Sequence, residues 1–235
     1  ALEYVESEGP RASTAAKVGQ FIDTGVVPNG RVPTVRIKYR LSDSSLSGEG
    51  YVFGYWNLAN NVGTAIGILN GSGRYRVCDK AIYYGSPDKN VHEFELNTNE
   101  GTIMDGSFAG DDGSKLRSVI DNEKTYSYYL FARYHSTVGI QKMPCQIFRA
   151  RIWMDGEKVR DYVPCLRLSD NKAGMYEMVE GNFCLGEGVT PFVAGPETTF
   201  VDDGEEEFKI GPVSSAFWIG EEDGPRPEVR DADGN

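Results

Sequence analysis

Residues 146–164 read QIFRARIWMDGEKVRDYVP. In the first arm Phe148, Ala150, Ile152 and Met154 alternate with Ile147, Arg149, Arg151 and Trp153, the period of a strand with one buried face. Asp155-Gly156 suits the two positive φ angles of a type I′ turn, so 157–165 is predicted to return antiparallel to 146–154.

The same period recurs on both sides of this hairpin. In PTVRIKYRL (33–41) Val35, Ile37, Tyr39 and Leu41 face one way while Arg36, Lys38 and Arg40 form a solvated face. YVFGYW (51–56), TAIGIL (64–69) and YRVCDKAIYYG (75–85) follow as antiparallel strands, separated by Asn- and Gly-rich turns. VHEFELN (91–97) puts His92, Phe94 and Leu96 on a core face and Glu93 and Glu95 outside, then turns through NTNEG into a short strand ending at Asp105-Gly106. TYSYYLFARYH (125–135) reads as one strong strand. No convincing amphipathic helix is found, and the best candidate, AGMYEMVEGNF (173–183), has room for only about two turns.

Glycine and aromatics support this all-β reading. The chain has 28 Gly, 13 Tyr and 11 Phe among 235 residues, which suits short strands and tight turns better than long helices. One large domain over 1–196 is expected, followed by an acidic extension (197–235) with at most one added strand or hairpin and a solvated tail. A net charge of −11 weighs against a nucleic-acid partner, because phosphate recognition needs a basic face. No stretch approaches the ~20 apolar residues of a membrane-spanning helix, and the opening ALEYVESEG lacks the apolar region of a secretion signal. Cys78, Cys145, Cys165 and Cys184 are even in number but widely spaced, without metal-ligand spacing, so buried thiols and one or two disulfides both stay open.

Several segments, in order, carry a resemblance: FIDTGVVP (21–28), VHEFELN followed by MDG, YLFARY, RIWMDGEKVRDYVPC, AGMYEMVEGNF and PFVAGPE. Together they resemble the laminin-G-like, concanavalin A-like jelly-roll modules of bacterial secreted and surface proteins, over roughly residues 3–196. The resemblance implies a two-sheet antiparallel sandwich, a secreted or cell-surface location and a role in sugar binding or adhesion. It also makes 159–165 the returning arm of a scaffold hairpin, which implies that Val159 and Val163 face the core, that Arg160 and Asp161 make charge-assisted bonds to adjoining loops, and that Pro164 ends the pairing. The superfamily contains glycoside hydrolases as well, so fold alone does not separate enzyme from binder.

Retaining glycosidases need two carboxyl groups roughly 5–5.5 Å apart, and the one comparable site on a predicted strand is Glu93-x-Glu95, followed on the same face by Asn97. Glu205, Glu206 and Glu207 are consecutive, which on a strand sends them to opposite faces. The two histidines, His92 and His135, form no zinc motif, and no nucleotide-binding loop or nucleophile elbow occurs. Asp111-Asp112-Gly113, Asp202-Asp203-Gly204 and Asp231-x-Asp233-Gly234 are candidate calcium donors, although none completes a calcium loop.

A non-catalytic carbohydrate-binding or adhesion module is therefore the expected function, with a structural or protein-binding module as the alternative. Trp56, Tyr129 and Trp153 lie opposite the core-facing set of their strands and are candidate stacking platforms. Arg149 and Arg151, beside Trp153, are candidate donors to sugar hydroxyls.

Overall fold

The computed structural model describes residues 1–8, 20–29, 31, 33–42, 49–57, 62–69, 72–77, 80–83, 87–97, 101–105, 107–108, 126–188 and 190–198. In chain order the strands are β1 (Val5–Ser7), β2 (Ile22–Asp23), β3 (Pro33–Leu41), β4 (Glu49–Asn57), β5 (Val62–Leu69), β6 (Ser72–Val77), β7 (Lys80–Tyr83), β8 (Val91–Asn97) and β9 (Gly101–Met104). They continue with β10 (Ser107–Phe108), β11 (Tyr129–Leu130), β12 (Ala132–His135), β13 (Gly139–Lys142), β14 (Cys145–Met154), β15 (Glu157–Arg167), β16 (Lys172–Glu177), β17 (Asn182–Cys184) and β18 (Val193–Ala194).

These strands make a two-sheet sandwich. The first sheet runs β10-β9-β8-β3-β14-β15-β16-β17, with β1 beside β14 and β18. The second runs β13-β12-β4-β5-β6-β7, with β11 pairing β2 and β4. All pairings are antiparallel among the described residues except β12 with β4. One core fills the space between the sheets. Val35, Ile37, Tyr39, Phe94, Leu96, Ala150, Ile152 and Met154 come from the first sheet, and Phe53, Tyr55, Ile66, Ile68, Tyr128 and Leu130 from the second and its approach. Burial of these side chains is the main stabilising term.

The deciding hairpin forms as the period predicts. Asp155 and Gly156 take φ of 55° and 85°, the two positive angles of the type I′ turn. In the first arm a bulge between Ile147 and Arg149 makes Phe148 the extra residue, so Ile147 is in the core and Phe148 is not. Phe148 packs instead on Tyr4, with ring centroids 5.4 Å apart. In the returning arm Val159 packs against the core, while Tyr162 and not Val163 joins it. Arg160 reaches adjoining segments as expected, bonding the Thr24 carbonyl at 3.1 Å and Glu180 at 2.7 Å.

Pro164 does not end the strand, which pairs with β16 as far as Arg167↔Lys172. A strand residue's N–H and C=O point to the same edge, and the Pro164 carbonyl accepts from Leu2 N–H at 3.0 Å. Its missing N–H therefore faces Leu2, and the ladder to β16 loses nothing.

Two other segments differ from the sequence reading. The segment read as one strand over 125–135 holds two short ones, β11 and β12, broken at Phe131, whose φ is 62°. Phe131 is fully buried, 4.7 Å from Phe192, so core packing overrides the local period. Residues 173–183 form a hairpin, not a helix. Ala173 and Met175 are core residues, and the Glu177 carboxylate accepts the N–H groups of Asp161, Val179 and Glu180 around the turn. At the end of the domain, pairing with the N-terminal residues passes Pro196. Leu2 bridges Glu197, and Thr198 N–H meets the Ala1 carbonyl at 3.2 Å. The rest of the acidic extension, 199–235, lies outside the described residues, as do the three Asp-Gly calcium candidates.

Candidate functional site

The outer face of the first sheet gathers the predicted residues of β14. Across the strands, Arg151 lies between Arg36 of β3 and Asp161 of β15, with Glu95 of β8 beyond Arg36. One row along, Arg149 is opposite Lys38, which is opposite Glu93. At the other end Trp153 lies between Thr34 and Lys158. Arg149, Arg151 and Trp153 therefore share a face, as their alternation predicts.

Exposure divides the three. Trp153 is half-buried, with the Arg151 guanidinium 5.8 Å from its ring centre. Arg149 is only 9% exposed and Arg151 4%. Two Arg149 nitrogens grip the Asp161 carboxylate at 3.0 and 2.9 Å, and Lys158 reaches the same carboxylate at 3.3 Å. The arginines thus build the platform more than they present donors. The more accessible polar neighbours of the indole are half-buried Thr34 and Lys158, while exposed Lys38, part of the solvated face read from the sequence, lies two rows away opposite Arg149. Only the strand register brings Thr34 and Lys158 beside the indole.

Glu93 and Glu95 do lie on one face, but they share one cation. Two Arg36 nitrogens meet the same Glu95 oxygen at 2.9 and 3.0 Å, and Glu93 is 3.7 Å away. Such a guanidinium draws the pair into an ion-pair ladder.

Trp56 lies outside the main core cluster but is 2% exposed, so it offers no open ring face. Its indole rests on Gly63 of β5, where an added Cβ would fall 2.7 Å from the ring. Tyr51, further along β4, is likewise buried and stacks under the Arg133 guanidinium, 3.7 Å from its ring centre. Arg133 pairs with Glu49 at 2.8 Å, and that carboxylate also accepts from the Tyr51 hydroxyl and, at 3.0 Å, from Gln141. These groups satisfy one another as scaffold.

Tyr129 stands beside a tyrosine pile. It is 5.9 Å from Tyr134, which is 4.8 Å from Tyr126, and both pairs are stacked. All three are half-buried. Burial, with the nearby charges of Asp23 and Glu187, pushes the Tyr129 phenol far above its ordinary value. Its ring face is shared with protein partners, so it is a weaker platform than Trp153.

His92 lies at the rim of the core face, between Asp88 and Asp105. Cys145, Cys165 and Cys184 are free thiols, while Cys78 lies outside the described residues. Burial pushes the Cys184 thiol up to about 11 and Cys145 well above its usual range. Among the described residues no three His, Cys, Asp or Glu side chains are placed to hold a metal ion, and no helix is long and apolar enough to cross a membrane.

No protein-family model and no curated protein matches the chain. Among solved structures, domains LG4-5 of the mouse laminin alpha1 chain are similar to it at 13% identity and a TM-score of 0.32, over 64% of this chain and 46% of that one. The match thus spans less than half of the laminin chain. The sandwich rests on the strands and core described above.

Proposed function

We propose that the chain is a non-catalytic carbohydrate-binding or adhesion module of a secreted or cell-surface protein, with the outer face around Trp153 as its sugar platform. The observation that supports this reading is the half-exposed indole on a sheet face whose buried Arg149 is fixed by Asp161. A sugar ring stacks its C–H face on an indole, and a fixed platform loses little entropy on binding. Thr34 and Lys158 flank the indole as hydroxyl and ammonium donors. A glycosidase role is disfavoured by the sharing of Arg36 between Glu93 and Glu95.

The alternative is a protein-binding module, favoured by the edge strand β18, whose Val193 and Ala194 are exposed and which pairs only with β1 among the described residues. A glycan-array screen of the purified chain, with and without calcium, tests the proposal. Binding to a defined glycan class is expected, and dependence on calcium would bring the acidic turns into the site. Binding to none would favour the protein-binding reading. Glycan cleavage that vanishes in Glu93→Gln would replace both with an enzyme.

A further inference from the structure

The ring of His92 has a carboxylate on either side. Nδ1 is 2.6 Å from Oδ2 of Asp105, and Nε2 is 2.8 Å from Oδ1 of Asp88. Ionised carboxylates only accept, so both bonds together need an N–H on each ring nitrogen, which imidazolium alone provides. Neutral imidazole has one N–H and turns a lone pair toward the other acid.

The two acids are anchored differently. Asp105 is locked to β8 by its own chain: its Oδ1 accepts Glu93 N–H at 2.8 Å, and its N–H donates to the Glu93 carbonyl at 2.9 Å. Among the described residues, Asp88 is otherwise held only within its own segment, by the Asn90 N–H at 2.7 Å and the Asn90 side chain at 2.9 Å. Loss of the ring proton therefore costs the contact to Asp88 more readily than that to Asp105.

We propose that Asp88, His92 and Asp105 form a proton-operated clasp, which fastens residues 87–90 to the β8–β9 hairpin while His92 is charged and releases them when it is neutral. Among the described residues, the titratable groups facing the ring are Asp88 from the segment before β8, Asp105 from the turn after β9, and Tyr39 of β3, whose ring centre is 6.0 Å away. Partial burial lowers the His92 pKa, but the hydrogen bonds and charges of the two acids outweigh it, and the net direction is upward. The Asn90 N–H, then His92, hold Asp88 below the usual carboxylate range, so it is ionised wherever His92 titrates. With a raised folded-state pKa, the clasp contributes stability that is fully present below the ordinary histidine value of about 6.5 and is lost as pH rises through the folded value.

Nitrogen-detected NMR of the imidazoles tests this, since the chain has only two histidines and one His135→Gln sample assigns them. His92 is expected to titrate above about 6.5 and to become the Nδ1–H tautomer. Hydrogen-exchange protection of 89–90, corrected for intrinsic rates, should fall through the same transition. Asp88→Asn should lower the His92 midpoint by about one pH unit and remove the protection already at acidic pH. A midpoint at or below the ordinary value, an unchanged midpoint in Asp88→Asn, or protection indifferent to the charge of His92 would each overturn the clasp.

Discussion

Replacing Asp161 by Asn should destabilise the fold far more than removal of a surface charge. Asp161 is 2% exposed and its partner Arg149 is 9% exposed, so the pair is sequestered from water with two charge-assisted bonds of 3.0 and 2.9 Å. Asn keeps the shape and one acceptor but leaves a buried guanidinium without its counter-charge. Breaking a buried pair in this way costs about 3–5 kcal/mol, and the retained acceptor places the expected loss near the lower end, about 3 kcal/mol. For a chain of this length that corresponds to a thermal midpoint about 6–12 °C lower. Lys158, partly exposed and 3.3 Å from the same carboxylate, offsets little. Urea unfolding of Asp161→Asn and of the double variant Arg149→Met/Asp161→Leu separates charge from packing. The double variant should recover most of the loss, since apolar replacement of a buried pair is often neutral or better. A single-variant loss below about 1 kcal/mol, the range of exposed pairs, would refute the argument that this face is built around a buried ion pair.

One further substitution and one labelling experiment probe the core. Gly54 has φ of 129°, and an added Cβ would lie 2.0 Å from the Thr64 carbonyl oxygen and 2.5 Å from the Ala65 Cα. Both obstacles are backbone, so Gly54→Ala should lower stability by about 3 kcal/mol or more, read by thermal unfolding; a midpoint near wild type would mean that β4 and β5 are not so close. Cys145 is fully buried with its thiol pushed well above the usual range, so iodoacetamide at pH 8 should leave it unmodified in the native protein and modify it in urea. Peptide mass mapping that finds native Cys145 labelled would contradict its place in the core.

The fold was legible wherever one face of a strand is buried and the other wet. Ala150, Ile152 and Met154 announce their register by simple alternation, and Asp155-Gly156 announces the turn. The signal fails where local period and tertiary packing part. Nothing in YSYYLFARY marks Phe131 as the break, because the residue turns the chain in order to reach Phe192, far along the sequence. The bulge at Phe148 is silent for the same reason: it is fixed by pairing with β3 and by Tyr4, not by its neighbours in sequence. Trp56 shows the limit for site residues. Alternation gives the side of a strand but not what covers it, and β4 is buried on both faces along almost its whole length. Glu177, in the best helix candidate the sequence offers, becomes a turn cap only once three N–H groups are brought round it.

The role assigned to Trp153 is tested most directly by one paired measurement. Wild type and Trp153→Ala are titrated calorimetrically with a glycan selected by the array, and their thermal midpoints are recorded alongside. Because the indole is half-exposed on the outer face, beside rather than within the core, the substitution should leave the midpoint nearly unchanged. Loss of an aromatic contact of about 1 kcal/mol or more should weaken binding roughly fivefold or more. A variant that folds as well as wild type and binds the glycan at full strength, or one that unfolds outright, would make Trp153 part of the scaffold and contradict the platform.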